Sequence, residues 1–187
     1  NKEYGLDQKR LRKFAADGRL CAMAKQLPYF ELMVMFYPGD GWTAAAVKQQ
    51  VGGSVNSTDI DDTCIVRLSL PLNNNGHRIP KWTEKFRTRQ GDDKRWYGLR
   101  VKEFWPYMVK IYGNPDVHSR EPIDRGLFAK KRGIIGFKVP FADGSATGHF
   151  TLWNGVDLLY GGQDHDYFSI ATEAGLWVAP SALPFFE

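Results

Sequence analysis

The chain carries two cysteines, and one of them sits where a nucleophile could be made. Cys64 follows Asp59-Ile60-Asp61-Asp62-Thr63 and opens an apolar run that continues to Leu70. Asp61, Asp62 and Thr63 are helix-capping residue types, so the pattern predicts a helix beginning at Cys64. A thiol in that position meets unpaired backbone N–H groups and the positive end of the helix dipole, and both favour thiolate over thiol. Carboxylates aimed at the sulfur would oppose this, so the expectation requires the acids to face the backbone. Read by itself, a cysteine at the head of an apolar run is equally a small buried hydrophobe.

A cysteine nucleophile needs a general base with an orienting group behind it. Four histidines compete. His77 follows Asn73-Asn74-Asn75-Gly76, His118 lies in a polar stretch, and His165 stands between Asp164 and Asp166, all of them loop settings. His149 differs: it follows Gly148 and opens the segment HFTLW. There His149, Thr151 and Trp153 alternate with Phe150 and Leu152, the period of a β-strand, and a strand holds an imidazole better than a loop does. Asp157 is the nearest carboxylate beyond the Asn154-Gly155 turn and is the expected orienting acid, with Asp164 and Asp166 as rivals. The order of Cys on a helix, His on a strand and an acid on the next strand is the one papain-like folds use.

The elements that must position these residues are read from pattern. Asp7 to Lys25 resembles a solvent-facing helix interrupted at Asp17-Gly18. An apolar segment from Tyr29 to Tyr37 closes in the turn Pro38-Gly39-Asp40-Gly41. Thr43 to Val51 has helix composition and stops at Gly52-Gly53. Pro71 should end or kink the Cys64 helix, and the asparagine run after it is loop chemistry. Residues 81–97 read as charged and irregular. Val101 to Tyr112 reads as a helix that tolerates Pro106 only within its first turn. Gly133 to Val139, His149 to Trp153 and a third segment from about Asp157 read as successive strands, the last two joined by the Asn154-Gly155 hairpin. A short helix around Tyr167 to Glu173 and an apolar strand at Leu176 to Ala179 complete the series. Helices come first and an antiparallel sheet second, which makes the fold α+β.

Composition bounds the partners. The 187 residues are 43% hydrophobic and 14% aromatic, which suits one domain with a substantial core. The 25 basic against 21 acidic residues leave a charge of +4, a balance that favours an anionic partner without naming it. No Cys/His spacing suggests zinc, and no cofactor is expected. No apolar run reaches membrane-spanning length, no secretory leader opens the chain, and no nucleic-acid recognition signature appears.

Four blocks occur in order: VGG (Val51 to Gly53), DTCIVRLSLPLNNNGHRIP (Asp62 to Pro80), WYGLRVKEFWPYMVKIYGNPD (Trp96 to Asp116) and GIIGFKV with TGHFTLWNG (Gly133 to Gly155). Together they resemble the fourth family of type VI secretion amidase effectors, within the NlpC-type papain-like cysteine peptidases, over residues 28–186. The resemblance implies a papain-like domain at 28–187 behind an N-terminal extension at 1–27. It implies a toxin secreted by one bacterium into the periplasm of another. Its expected reaction is cleavage of the peptidoglycan stem peptide between γ-D-glutamate and meso-diaminopimelate. It also implies delivery by the type VI secretion machinery and a cognate immunity protein. The family's nucleophile falls on Cys64, its base on His149 and its third residue on Asp157 as the best match. The chain departs from the family in lacking the two cysteines that often bracket the third residue, and in carrying Pro71. Rival readings are a housekeeping papain-like cell-wall hydrolase or acyltransferase, and a non-catalytic basic module that binds wall polymer or nucleic acid.

Overall fold

Phe150 and Leu152 alternate with His149, Thr151 and Trp153 along the strand β5 (His149–Trp153), and all five side chains are buried. A strand buried on both faces needs a layer against each, and that requirement organises the fold. The computed structural model describes residues 25–140, 148–161 and 165–182. The expected helix over Asp7 to Lys25 and the turn after Pro140 lie largely outside the described residues, as do Cys21 and Asp164.

Three helices precede the sheet: α1 (Phe30–Phe36), α2 (Ala44–Val51) and α3 (Cys64–Asn74). The Thr43 hydroxyl caps α2 by accepting from the Ala46 N–H, and the helix closes at Gly52, as its composition predicts. A hairpin of β1 (Thr88–Gln90) and β2 (Trp96–Gly98) follows, then α4 (Val101–Tyr112). The second sheet is antiparallel, in the order β3 (Val117–Arg120), β6 (Glu173–Val178), β4 (Gly133–Lys138), β5. A one-turn helix α5 (Tyr167–Ile170) packs beside it.

On one face of β5, Phe150 and Leu152 pack with Ile65, Leu68 and Leu72 of α3 and with Phe104 and Trp105 of α4. The Phe150 ring meets Phe104 and Trp105 edge-on at 5.1 and 5.6 Å, the arrangement the ring quadrupoles favour. On the other face Trp153 packs with Phe128 and Phe168, and its indole N–H reaches the Phe128 carbonyl at 2.9 Å. Burying each such ring contributes about 2–3 kcal/mol, which fixes β5 between the layers and with it His149.

Several elements depart from the sequence expectation. Pro71 does not end the Cys64 helix, which runs on to Asn74. Leu68 and Leu72 are fully buried on either side of it, and the asparagines tie down the last turn. Asn73 donates to the Trp96 carbonyl and accepts from Ile79, Asn74 donates to Leu70, and Asn75 donates to Pro71. Pro106 lies in the second turn of α4, where burial of Phe104, Trp105 and Met108 outweighs the lost backbone bond. The charged region 81–97 contains the β1–β2 hairpin, and the polar stretch before Arg125 contains the edge strand β3. The segment after Asn154-Gly155 makes only an isolated bridge, Trp153 with Leu158, rather than a full strand. Ahead of residue 28, the Lys25 amide donates to the Ile111 carbonyl and Leu27 is buried in the main core, so packing already includes the end of the expected extension. Among the described residues no helix is long and apolar enough to cross a membrane.

Candidate active site

Cys64 is the first residue of α3 and is fully buried. Asp62 lies one residue before the N-cap, Thr63, and braces the helix start: one carboxylate oxygen accepts the Cys64 backbone N–H at 2.8 Å. The other oxygen lies 3.3 Å from the sulfur and accepts its proton. The acids were expected to face the backbone alone, and Asp62 faces both. Burial first, and then the Asp62 charge, push the Cys64 thiol well above its ordinary range, against the pull of the Phe150 and Ile65 amides. In this state Cys64 is a thiol held by a carboxylate. Thr63, another of the three expected caps, uses its hydroxyl to accept from Arg67 at 3.1 Å.

The Phe150 amide that faces the sulfur belongs to the residue after His149, so β5 brings the imidazole to the head of α3. Asp62, bonded to the sulfur, also acts electrostatically on His149. The imidazole is 4% exposed and lies parallel to the Tyr167 ring at 4.4 Å. Its Nε2 stands 2.8 Å from the Tyr160 carbonyl oxygen. A carbonyl only accepts, so Nε2 carries the proton and Nδ1 of the neutral ring keeps its lone pair. Burial holds the His149 pKa below its usual value, and the Tyr160 carbonyl opposes that shift by favouring the charged ring. A neutral imidazole with a bare Nδ1 is the form a general base must have.

Of the expected acids, the two that are described, Asp157 and Asp166, make no hydrogen bond to the imidazole. The Asp157 side chain is 71% exposed and sits 3.8 Å from Arg125, away from the imidazole. The Asn154 side chain accepts both the Val156 and the Asp157 amides, and this tight turn directs Asp157 outward. Asp166 caps α5 by accepting from the Phe168 amide at 3.2 Å. The remaining histidines have structural partners. His77 stacks on Tyr112, His118 bonds Glu173, and His165 packs edge-on against Tyr167.

One functional side chain was not singled out from the sequence. Arg67, one turn after Cys64, is fully buried. Its guanidinium donates to the carbonyls of Pro38, Gly39 and Trp42 at 2.7, 3.0 and 2.7 Å and lies 3.7 Å over the Tyr160 ring. The only signal was an arginine inside an apolar helix, which must find acceptors for a fork of donors. Those acceptors lie in the turn after α1, more than twenty residues earlier in the chain.

The chain and its fold are similar to known proteins. The family model for type VI secretion system (T6SS), amidase effector protein 4, Tae4, matches residues 60–177, more than half of the chain. The fold is similar to Tae4 in the Tae4/Tai4 effector–immunity structure from Salmonella typhimurium, with a TM-score of 0.73 and 25% identity over 83% of this chain and 100% of that one. It is similar to Tae4 from Enterobacter cloacae, with a TM-score of 0.72 and 28% identity over 84% and 99% of the two chains. The Tae4–Tai4 complex from Enterobacter cloacae matches at a TM-score of 0.69 and 28% identity over 82% and 99%. No curated protein matches the chain. With a family model spanning the Cys64 helix, the His149 strand and most of the sheet, the chain belongs to the Tae4 family of type VI secretion amidase effectors.

Proposed function

We propose that Cys64 and His149 perform the amidase reaction of this effector on the bond between γ-D-glutamate and meso-diaminopimelate in peptidoglycan stem peptides. The observation that carries the assignment is the Nε2–H bond to the Tyr160 carbonyl, which leaves Nδ1 of His149 free to take a proton beside the nucleophile. As a Tae4 family member the chain is a peptidoglycan hydrolase of the cysteine-peptidase type. It is delivered by type VI secretion and acts in the periplasm of the target cell. The matched structures pair Tae4 with the immunity protein Tai4, and this effector accordingly has a cognate immunity protein as partner.

In the reaction the Cys64 thiol gives its proton to His149, and the sulfur attacks the γ-glutamyl carbonyl carbon. The tetrahedral intermediate collapses as the imidazolium returns the proton to the diaminopimelate nitrogen, which leaves as the amine. Water then attacks the thioester with His149 as base, releasing the D-glutamate γ-carboxylate and the free thiol. Before attack the thiol must leave Asp62 for His149. The Asp62 carboxylate must also swing off the Cys64 N–H before that donor can serve the oxyanion at the head of α3.

The test is digestion of purified sacculi followed by mass spectrometry of the fragments. New γ-D-glutamyl termini that are absent with Cys64→Ala and with His149→Ala are expected. The same products from Cys64→Ala would overturn the assignment, and so would cleavage at another bond.

A further inference from the structure

Accepting Cys64 and His149 as the catalytic pair, we propose that the orienting third group is the main-chain carbonyl of Tyr160, with Asp40 and Arg67 as the positioning residues that hold it. Among the described residues no carboxylate bonds the imidazole, and the Tyr160 oxygen occupies the place one would take. Tyr160 follows the isolated bridge at Leu158, and the Leu159 amide still donates to Leu152 at 2.9 Å. Beyond that bond the sheet does not hold the segment, so the carbonyl needs another support.

Asp40 supplies that support on both sides of Tyr160. Its N–H donates to the Leu159 carbonyl at 3.1 Å, and its carboxylate accepts the Gly161 N–H at 2.8 Å. One residue thereby pins both neighbours of the carbonyl that meets His149. The turn carrying Asp40 is in turn clamped by Arg67, which takes three of its carbonyls and covers the Tyr160 ring. Arg67 stands on α3 three residues after Cys64, so a single side chain links the nucleophile helix to the base's support.

The fit leaves no spare volume. A Cβ on Gly39 would come within 2.7 Å of the Leu159 oxygen. A Cβ on Gly161, whose φ is +86°, would come within 2.8 Å of His149 Nε2. Both positions admit only bare backbone against the support. Among the described residues, the charged or titratable groups that act on His149 or stand around it are Asp62, Asp40, Arg67, Tyr160 and Tyr167, with His165 behind Tyr167. Two acids and one base therefore surround a ring whose orientation comes from a neutral dipole. A carbonyl fixes the tautomer as a carboxylate would, without adding a third negative charge beside a sulfur that must itself become anionic.

The experiment pairs turnover of a soluble stem peptide with nitrogen NMR of the His149 ring, which needs no activity. Asp40→Ala should lower kcat about 10- to 100-fold with KM changed less than about twofold, and should mix the His149 tautomers. Asp40→Asn, which keeps an acceptor for the Gly161 N–H, should restore kcat to within about threefold and restore the Nε2–H tautomer. Arg67→Lys, which cannot fork to three carbonyls, should behave like Asp40→Ala once folding is verified. Unchanged turnover and tautomer in Asp40→Ala would overturn the proposal. So would loss of turnover in a folded Asp157→Asn or Asp164→Asn, since a carboxylate would then be the orienting group. An inactive wild type would count against the amidase reading alone, because the ring spectra still decide which atom holds His149.

Discussion

Replacing Asp62 with Asn should convert Cys64 from a held thiol into a more acidic one. The carboxylate oxygen lies 3.3 Å from the sulfur, so ionising Cys64 in the resting state brings two negative charges to about 4 Å. Such a pair costs about 1 kcal/mol in water and about 4 kcal/mol at an effective dielectric near 20. Cys64 is fully buried while Asp62 is exposed, so solvent screens one end of the pair and the lower half of that range applies. A value of about 1.5–2 kcal/mol corresponds to a thiolate fraction raised at least about tenfold at fixed pH. Asn keeps a carbonyl oxygen for the Cys64 N–H, so that bond survives and the change isolates the charge. The assay is titration of thiolate ultraviolet absorbance, with Cys64→Ala subtracted to remove Cys21 and the tyrosines. A midpoint that stays in place or moves upward in Asp62→Asn would refute the reasoning, because desolvation alone would then set the pKa.

Asp157→Asn should leave turnover within about twofold and stability within about 1 kcal/mol, since among the described residues its carboxylate pairs only with exposed Arg125; peptide turnover and urea midpoints check this. Arg67→Met should cost about 3 kcal/mol, read from urea denaturation, because three carbonyls lose a buried donor. Gly161→Ala should lower kcat about tenfold or more and also destabilise the fold by about 1 kcal/mol or more, since its Cβ would press on the His149 imidazole and Ala is strained at a φ of +86°. His77 is pushed down to about 4 from 6.5, chiefly by burial and secondarily by Lys25. Between those values the unfolded chain binds a proton that the fold does not, so stability is present above pH 6.5 and is lost as pH falls toward 4. His77→Gln should remove about 1–2 kcal/mol of that loss, after discounting for the ring's partial exposure, as chemical denaturation at several pH values would show.

The sequence by itself determined the helix start at Cys64 and the buried strand at His149, where the proposed nucleophile and base stand. A cap-rich approach to Cys64 specified a helix start, and strict alternation around His149 specified a buried strand, because both signals are local and the backbone obeys them directly. The family blocks extended the same reading to the reaction. Local signals failed where distant packing overruled them. Pro71 and Pro106 stay inside helices because buried leucines and aromatics on either side outweigh one missing backbone bond. The asparagine run reads as loop and instead ties off a helix, since its partners at Trp96 and Ile79 lie far along the chain. What holds His149 was decided only by the tertiary structure. The nearest carboxylate in sequence, Asp157, is turned outward by a tight Asn154 turn, while a backbone carbonyl at Tyr160 reaches the ring. That carbonyl is placed by Asp40 and Arg67, 120 and 93 positions earlier in the chain. A main-chain atom carries no side-chain signature, so its role becomes visible only once the chain has folded.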